Sequence, residues 1–571
     1  MAQGKPSKVE GYKAASTRLR GTIAEGLRSA EPVFDDADHQ LLKFHGIYQG
    51  YDRDSATALK QQGLDKRHEF MVRVKAPGGL LTAEQYLAVD ALTQRYAGAG
   101  LRITTRQALQ FHAITKENLW AAIHGVNQAL LTTFGACGDV VRNVTTTAAP
   151  IEDAAHRRMR EDARMLAIAL APETRAYHEI WVGETEVAGP FVPKPEHEPE
   201  IDPLYGPVYL PRKFKIGIAM PEDNGIDVLT NDLAVIPHFA GDVLEGYTLA
   251  IGGGLGMTHN KPHTYPRLAS PIAFIGPDEL LRGAQAVVKL HRDFSDRSDR
   301  KHARLKYAVD AMGLDVAKAE LEKHFGGPMA PARKLPAFRV KEHIGWHEQG
   351  DGRWYFGLTI ESGRIEDRGE HRLATALRRL MREVALRPIL SPNQDILLAD
   401  IAEGDQPKVE AILTEEGVRL PGNDTPLRRW ALACPALPTC GLALNEAERV
   451  LDRIVTDVEA ALARHNLAHE RLALRITGCP NGCARPYVGD IGLVGRTPDT
   501  YAIFLGGDFE GTRLNERVFE RVPIGEIGRT LEPVFALWAR QREGHESFGN
   551  FCKRWGTSRI AELVSPAVAA E

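Results

Sequence analysis

Four cysteines in the last quarter of the chain restrict its fold more than any other feature. Cys434 and Cys440 lie in ACPALPTC with five residues between them, and Cys479 and Cys483 lie in GCPNGC with three. Two loops carrying two thiols each can close on one metal centre, so the elements that bear them must converge. Thiolates suit zinc or an iron–sulfur cluster. Structural zinc sites space paired cysteines by about two to four residues, so the wider gap favours a larger body such as a 4Fe–4S cube, with zinc and unliganded thiols as alternatives. Pro435, Pro438 and Pro480 stiffen the loops and reduce the entropy lost on binding. Between the loops, Asn445 is read as a helix cap with Glu448 three residues on, and Ala447, Leu451, Ile454, Val458 and Leu462 share one helical face. A strand follows in which Leu472, Leu474 and Ile476 alternate inward before TGCPNGCARP. Cys137 and Cys552 have no neighbour at ligand spacing and are read as small buried apolar residues.

The chain has 571 residues, enough for about three or four domains. With 71 Lys and Arg against 75 Asp and Glu its net charge is -4, which predicts no general attraction to nucleic acid or anionic membrane, so any anion site must be a local basic cluster. Apolar runs such as 165–171 stop far short of the ~18 residues that span a bilayer. The first residues lack the apolar segment of a secretory signal, and a cytoplasmic location is expected, where cysteines stay free, metal-bound or catalytic.

Residues 1–65 read as an N-terminal arm with a small core of its own. A strand from Glu69, a helix over 83–96 and the strand-like LRITTRQALQFHAI then form an α+β grammar. It returns after the breaker cluster GGPMAPARKLP, with a helical stretch near 371–385 and PILSPNQDILLADI, so RQALQFHAI and NQDILLADI occupy corresponding places in a duplicated module. The proline-rich stretch over 189–203 reads as a solvated surface loop. Gly252–Gly254 lacks the spacing of a nucleotide-binding loop and suits close backbone packing instead. No zinc-protease motif or nucleophile elbow is present.

Basic residues recur beside apolar strands: Arg73, Arg102, Arg106, Arg142, Lys213 and Lys215. Isolated cations usually solvate a face, but Lys213 and Lys215 share one face of a strand, and Arg102 and Arg106 bracket a short turn. Such a cluster suits a compact polyanion.

LRGTIAEGL, FHGIYQGYDRD, RQALQFHAI, YLPRKFKIGIAMP, IGGGL, DRKHARLKY and RITGCPNGCARP, in this order with the four cysteines, resemble the sulfite and nitrite reductase family across nearly the whole chain. The likeness is closest to hemoprotein subunits of its NADPH-dependent assimilatory branch. The resemblance implies a sirohaem beside a 4Fe–4S cluster, with Cys434, Cys440, Cys479 and Cys483 binding the cluster and Cys483 also ligating the sirohaem iron. It implies that Arg73, Arg142, Lys213 and Lys215 surround sulfite, while Arg102, Arg106, Gln110 and Asn481 engage the macrocycle, whose eight carboxylates need local cations. Lys213 and Lys215 would supply protons. Lys75, at a position where an arginine can occur in the family, is read as a surface charge, with an altered substrate preference as the alternative; Gly441 and Ala484 also depart from close relatives without removing a ligand.

The implied fold is α+β, with duplicated ferredoxin-like sulfite/nitrite reductase modules in pseudo-twofold symmetry (66–141 and 336–420) and mixed α/β lobes (142–335 and 421–571) that hold the sirohaem and cluster. The implied reaction is the six-electron reduction of sulfite to sulfide in cysteine biosynthesis. Electrons would come from a flavoprotein subunit (FAD/FMN, NADPH) docking through the arm, or from ferredoxin. A ferredoxin-dependent nitrite reductase and a non-catalytic iron–sulfur or zinc-binding protein are the alternatives.

Overall fold

The computed structural model describes residues 4–183, 190 and 195–568. Its first half opens with α1 (Lys8–Ala14), α2 (Ile23–Arg28), α3 (Asp36–Leu41), β1 (Ile47–Tyr51) and α4 (Arg53–Gln61). A module follows of β2 (His68–Val74), α5 (Ala83–Tyr96), β3 (Ala99–Ile103), β4 (Leu109–Ile114) and α6 (Lys116–Gln128). Its lobe comprises β5 (Thr145–Thr146), α7 (Ala154–Ala169), β6 (Ile216–Ile218), β7 (Leu233–Ala240), β8 (Val243–Ile251), β9 (Ser270–Ile275), α8 (Leu280–Phe294), α9 (Leu305–Met312) and α10 (Leu314–Phe325).

The second half repeats this order. Its module contains β10 (Gly345–Glu348), β11 (Trp354–Leu358), the short β12 (Arg364–Ile365), a small hairpin β13 (Asp367–Arg368) and β14 (His371–Arg372), then α11 (Leu373–Glu383), β15 (Arg387–Leu390), β16 (Ile396–Ile401) and α12 (Gln406–Glu415). Its lobe contains α13 (Pro426–Arg429), β17 (Leu432–Ala433), α14 (Leu451–Ala463), β18 (Leu474–Thr477), β19 (Ile491–Thr497), β20 (Thr500–Leu505), β21 (Glu516–Pro523), α15 (Ile527–Gln541), α16 (Phe548–Trp555) and α17 (Thr557–Val568).

Sheet order β1-β2-β4-β3 recurs as β10-β11-β16-β15. The lobes match as closely: β5 to β9 and β17 to β21 each run in sequence order, with two parallel pairings followed by two antiparallel ones. The duplication expected for the modules therefore extends to the lobes.

Two glutamines lock the halves together in the same way. Gln107 Nε2 donates to the carbonyls of Gly78 (2.9 Å) and Leu390 (3.0 Å), and its Oε1 accepts from Thr146 N (2.9 Å). Gln394 Nε2 donates to the carbonyls of Ser362 (3.0 Å) and Ile103 (3.5 Å), and its Oε1 accepts from Ala433 N (3.3 Å). Each binds the first strand of its own lobe and the backbone of the opposite module. Gly79 and Gly363 make this approach possible: both have positive φ, and a Cβ on either would stand 2.2 Å from the carbonyl of Leu390 or Ile103.

The first module forms where periodicity places it. Thr82 and Gln85 make a reciprocal capping box at the start of α5. Tyr86 and Val89 of α5 and Leu119 and Ile123 of α6 bury against Val72, Val74, Ile103 and Phe111 of the sheet, each contributing about 1.5–3 kcal/mol through burial.

Several expectations are corrected. The boundary at residue 65 cuts through a sheet, because β1 pairs with β2 from Ile47↔Val72 to Tyr51↔His68. The arm's Leu19, Ile23, Leu42 and Phe44 belong to the main core. Asn445 does not cap α14, whose N-cap is Val450; its side chain instead ties the loop to Asp499 N (3.2 Å) and the Thr500 carbonyl (2.9 Å). Leu451, Ile454, Val458 and Leu462 do bury together. In β18 both faces are buried, since the strand lies between two parallel neighbours. Lys75 is buried rather than on the surface: its Nζ donates to the Ala167 carbonyl (3.2 Å) in the last turn of α7, where the helix dipole favours a cation, and burial pushes it down to about 8.

The stretch 184–189 and 191–194 of the proline-rich loop lies outside the described residues. Beyond it, Glu198 accepts from Arg20, Thr174 and the Arg175 N–H, so this part anchors the arm. Among the described residues no helix is long and apolar enough to cross a membrane.

Candidate active site

The cysteine loops leave the same edge of one sheet. Cys434 follows β17, and Cys479 and Cys483 follow the neighbouring parallel strand β18, so both loops emerge at the strands' carboxyl ends. Cys434 is pushed well up first by burial, then by Cys483, Cys479 and Cys440. Burial and Cys483 likewise push Cys479 up to about 12. Among the described residues, however, no three His, Cys, Asp or Glu side chains meet at the spacing that holds a single metal ion. Four thiols on two loops at one sheet edge are a donor set that suits an iron–sulfur cluster.

Backbone donors surround the sulfurs. Gly478 N–H points at Cys434 Sγ (3.4 Å), Leu442 and Ala443 N–H groups at Cys440, and both the backbone and side chain of Asn481 at Cys479. Such bonds favour thiolates and tune a cluster's potential. Asn481, expected to engage the macrocycle, is thus placed as a support for a thiol. Gly482 takes a φ of +64° that lets the GCPNGC loop turn tightly.

Cys483 is the exposed member of the set. Its carbonyl accepts from Thr105 Oγ1 (3.0 Å), which docks the cysteine loop onto the turn carrying Arg106. Its charge also reaches Lys215, so one sulfur connects the thiol set to the basic cluster.

The basic residues form two groups. Arg73, Arg106, Arg142, Lys213 and Lys215 are half-buried. Lys215 is pushed down to about 7 by burial and by the charges of Arg106 and Arg304, partly opposed by Cys483 and Asp232. Lys213 is pushed down by burial and by Arg142, Arg212, Lys215 and Arg304. Arg106 is lowered to about 9 by burial, with Asp232 opposing and Arg142, Arg485 and Arg304 adding to the shift. Its Nη1 donates to Asn231 Oδ1 (2.5 Å) and its Nη2 to the Ile216 carbonyl (3.0 Å), while its buried Nε has no partner. Mutually repelling, half-buried cations fit a polyanion with several carboxylates.

Arg102 belongs to the second group. It is 2% exposed, and its Nε and Nη2 donate to Glu448 (3.0 Å) and the Ala433 carbonyl (2.8 Å). Arg364 grips the other side of Glu448 (2.6 Å). These contacts clamp the cysteine lobe onto the first module, and they depart from the expected macrocycle role of Arg102. Glu448 is spent on this clamp and is unavailable for the capping expected of it.

Sequence reasoning missed several partners. Arg304 binds Asp232 twice (3.0 and 2.8 Å), and Asp232 also receives Lys215 N (2.9 Å). Lys306 donates to the carbonyls of Gly254 and Gly256 (both 2.9 Å) and Tyr265, holding the glycine loop against Pro480 through Met257 N (2.9 Å). Gly253 packs as expected, where a Cβ would lie 2.3 Å from the Asn231 carbonyl. The basic spacing in DRKHARLKY was the available signal, but it does not distinguish exposed Lys301 from buried Arg304. Cys552 is an inert core residue. Cys137 is buried, yet its Sγ accepts from Arg73 Nη1 (2.9 Å), so it is more than a small apolar filler.

The chain matches the Nitrite and sulphite reductase 4Fe-4S domain over residues 161–329 and 426–570, and the Nitrite/Sulfite reductase ferredoxin-like half domain over 62–129. It is 43% identical to the sulfite reductase (NADPH) hemoprotein beta-component of Myxococcus xanthus, with 99% of each chain covered. It is 41% identical to the sulfite reductase (ferredoxin) of Synechococcus elongatus, covering 98% of this chain and 91% of that one. The solved NirA protein of Mycobacterium tuberculosis shares the fold, with a TM-score of 0.76, 22% identity and coverage of 97% and 98%. On the matched domains and the full-length likeness, the chain belongs to the nitrite and sulfite reductase family.

Proposed function

We propose that the protein is an assimilatory sulfite reductase hemoprotein that reduces sulfite to sulfide, using a sirohaem and a 4Fe–4S cluster held by Cys434, Cys440, Cys479 and Cys483. The observation that carries this reading is the exposed Cys483, whose loop leaves the same sheet edge as that of Cys434 and docks through its carbonyl onto Thr105, in the turn that carries Arg106. The sirohaem, when bound, would supply the redox-active iron, and the cluster the electrons, for the reduction.

The chain's own residues bind the anion and deliver protons. Converting hydrogensulfite to hydrosulfide and three waters consumes six electrons and six protons, so the site must protonate each departing oxygen. Arg73 and Arg142 hold the oxygens as guanidinium donors. Lys215, titrating near neutrality, can give a proton and regain it from water, and Lys213 stands beside it. Arg106, with its unpartnered Nε, meets the macrocycle's carboxylates.

Electrons come from a reductase partner, for which relatives provide both NADPH-linked and ferredoxin-linked precedents. A flavoprotein docking beside the arm is the proposed donor. Arg53 of α4 donates to the carbonyls of Cys440 (3.2 Å) and Ala443 (2.8 Å), so arm and cluster loop lie side by side, with Leu442 exposed between them. Leu442→Glu should lower flavoprotein-driven turnover while leaving turnover with a small chemical reductant intact. Equal loss with both donors contradicts docking there. The function itself is tested by sulfite and nitrite kcat/KM on one holoenzyme preparation, with sulfite expected to be preferred.

A further inference from the structure

Arg73, Gln110, Arg102 and Arg364 form a row across four neighbouring strands. Arg73 on β2 stands opposite Gln110 on β4, Gln110 opposite Arg102 on β3, and Arg102 opposite Arg364 on β12. Cross-strand partners share a face, so the four side chains are neighbours.

Their charges meet different fates. Arg102 and Arg364 share Glu448, whose single carboxylate offsets one of their two charges. Arg73 has neutral holders instead. With its amide oxygen toward the guanidinium, Gln110 accepts from Arg73 Nε (3.3 Å) and Nη2 (2.6 Å), while Cys137 Sγ accepts from Nη1 (2.9 Å). Three guanidinium nitrogens are thereby fixed with the full positive charge retained. An arginine already fixed has less side-chain rotamer entropy to lose on binding, so prior fixation favours anion capture.

Resting on the reading that Arg73 binds sulfite, we propose that Gln110 is a positioning residue for Arg73, with Cys137 as the second holder, and that Gln110 does not serve as a macrocycle ligand. Gln110 is 3% exposed and its oxygen is committed to Arg73, which leaves it poorly placed for a cofactor contact. The amide is the suitable holder because it accepts without cancelling charge, whereas a carboxylate would repeat the Glu448 arrangement.

The test uses holoenzyme loaded with sirohaem and cluster, and reads macrocycle absorbance per chain, sulfite titration of the oxidised visible spectrum, KM and kcat. Gln110→Leu should keep wild-type macrocycle content, weaken sulfite about tenfold in both titration and KM, and change kcat less. Gln110→Glu keeps the acceptor and shape but cancels charge, and should weaken sulfite at least as much, again with full macrocycle content. Cys137→Ser, which keeps an acceptor, should stay within about twofold of wild type, while Cys137→Ala should raise KM. Adding Gln110→Leu to Arg73→Met should cost nothing further, because the holder acts through the arginine. Reduced macrocycle content with unchanged KM, or additive losses in the double variant, overturns the proposal. A wild-type enzyme that reduces nitrite but not sulfite overturns the sulfite reading instead, and the same variants then decide the role of Gln110 with nitrite as the probe.

Discussion

The two halves share a backbone plan but end in opposite chemistry. Arg142 lies three residues before β5, and Arg429 holds the same place before β17. Arg142 has only neutral hydrogen-bond partners in its surroundings, the Gly138 carbonyl (3.2 Å) and the Tyr48 hydroxyl (3.4 Å). Arg429 pairs with Glu342 at 3.3 Å. The space beside Arg429 is a cavity of about 40 Å³ lined by Asp223, His343, Asp395 and Trp430 among others, room for a water or two.

Charge there is cancelled locally. Asp223 bonds His343 (2.7 Å), His343 bonds the Tyr355 hydroxyl (2.8 Å), and burial pushes Asp395 well up. At the other end, Arg73, Arg106, Arg142, Lys213 and Lys215 gather with Asp232 as an opposing charge. Topology therefore supplies two equivalent frames, and unpaired charge with the cysteine loops makes one of them a site. Even the crossing point follows the symmetry. Asp227 and Arg485 occupy corresponding left-handed positions before a 3-10 turn in each lobe, and they pair with each other at 3.1 Å.

The largest expected effect comes from removing the residue that joins the thiols to the cations. Cys483→Ser should abolish sulfite turnover and lower bound iron, whereas retained turnover would remove Cys483 from the centre of the account.

Next is Lys215→Met, which should lower kcat by about a hundredfold, in the range of a lost proton donor, with macrocycle content unchanged. Lysine is the cationic acid below its pKa, so wild-type turnover should fall as pH rises from about 7, where Lys215 titrates in the protein without ligand, and bound anions should move that fall upward. Normal steady-state turnover in the variant would contradict the assignment.

Glu448→Gln leaves Arg102 and Arg364 buried without their carboxylate and should cost about 3–5 kcal/mol in chemical denaturation of the protein. The smallest effect on activity belongs to the other end. Asp223→Asn should cost about 1–3 kcal/mol of stability through the weakened His343 bond, yet leave sulfite KM within twofold. A large change in KM would show that the two ends are not chemically separate.

Much of this was legible before the structure. The cysteine spacing favoured a cluster over zinc because ligand chemistry is local in sequence, and the strand–helix–strand repeat exposed the duplicated modules. The duplicated lobes were hidden because β5 and β17 are two residues long and 69 residues separate β5 from β6 against 40 between β17 and β18. Asn445 misled because the cap signature is local while its actual partners, Asp499 and Thr500, lie on a distant hairpin. Arg102 and Arg73 look alike in sequence. Their roles separate only when long-range pairing gives one a carboxylate and the other an amide and a thiol.

The central claim is that one of two equivalent ends carries the cofactors. Its most direct test is the count of iron, acid-labile sulfide and macrocycle per chain in protein purified from cells that make sirohaem. About five irons, four sulfides and one macrocycle are expected, four irons in the cluster and one in the sirohaem. Two macrocycles per chain, or zinc in place of iron, would contradict it.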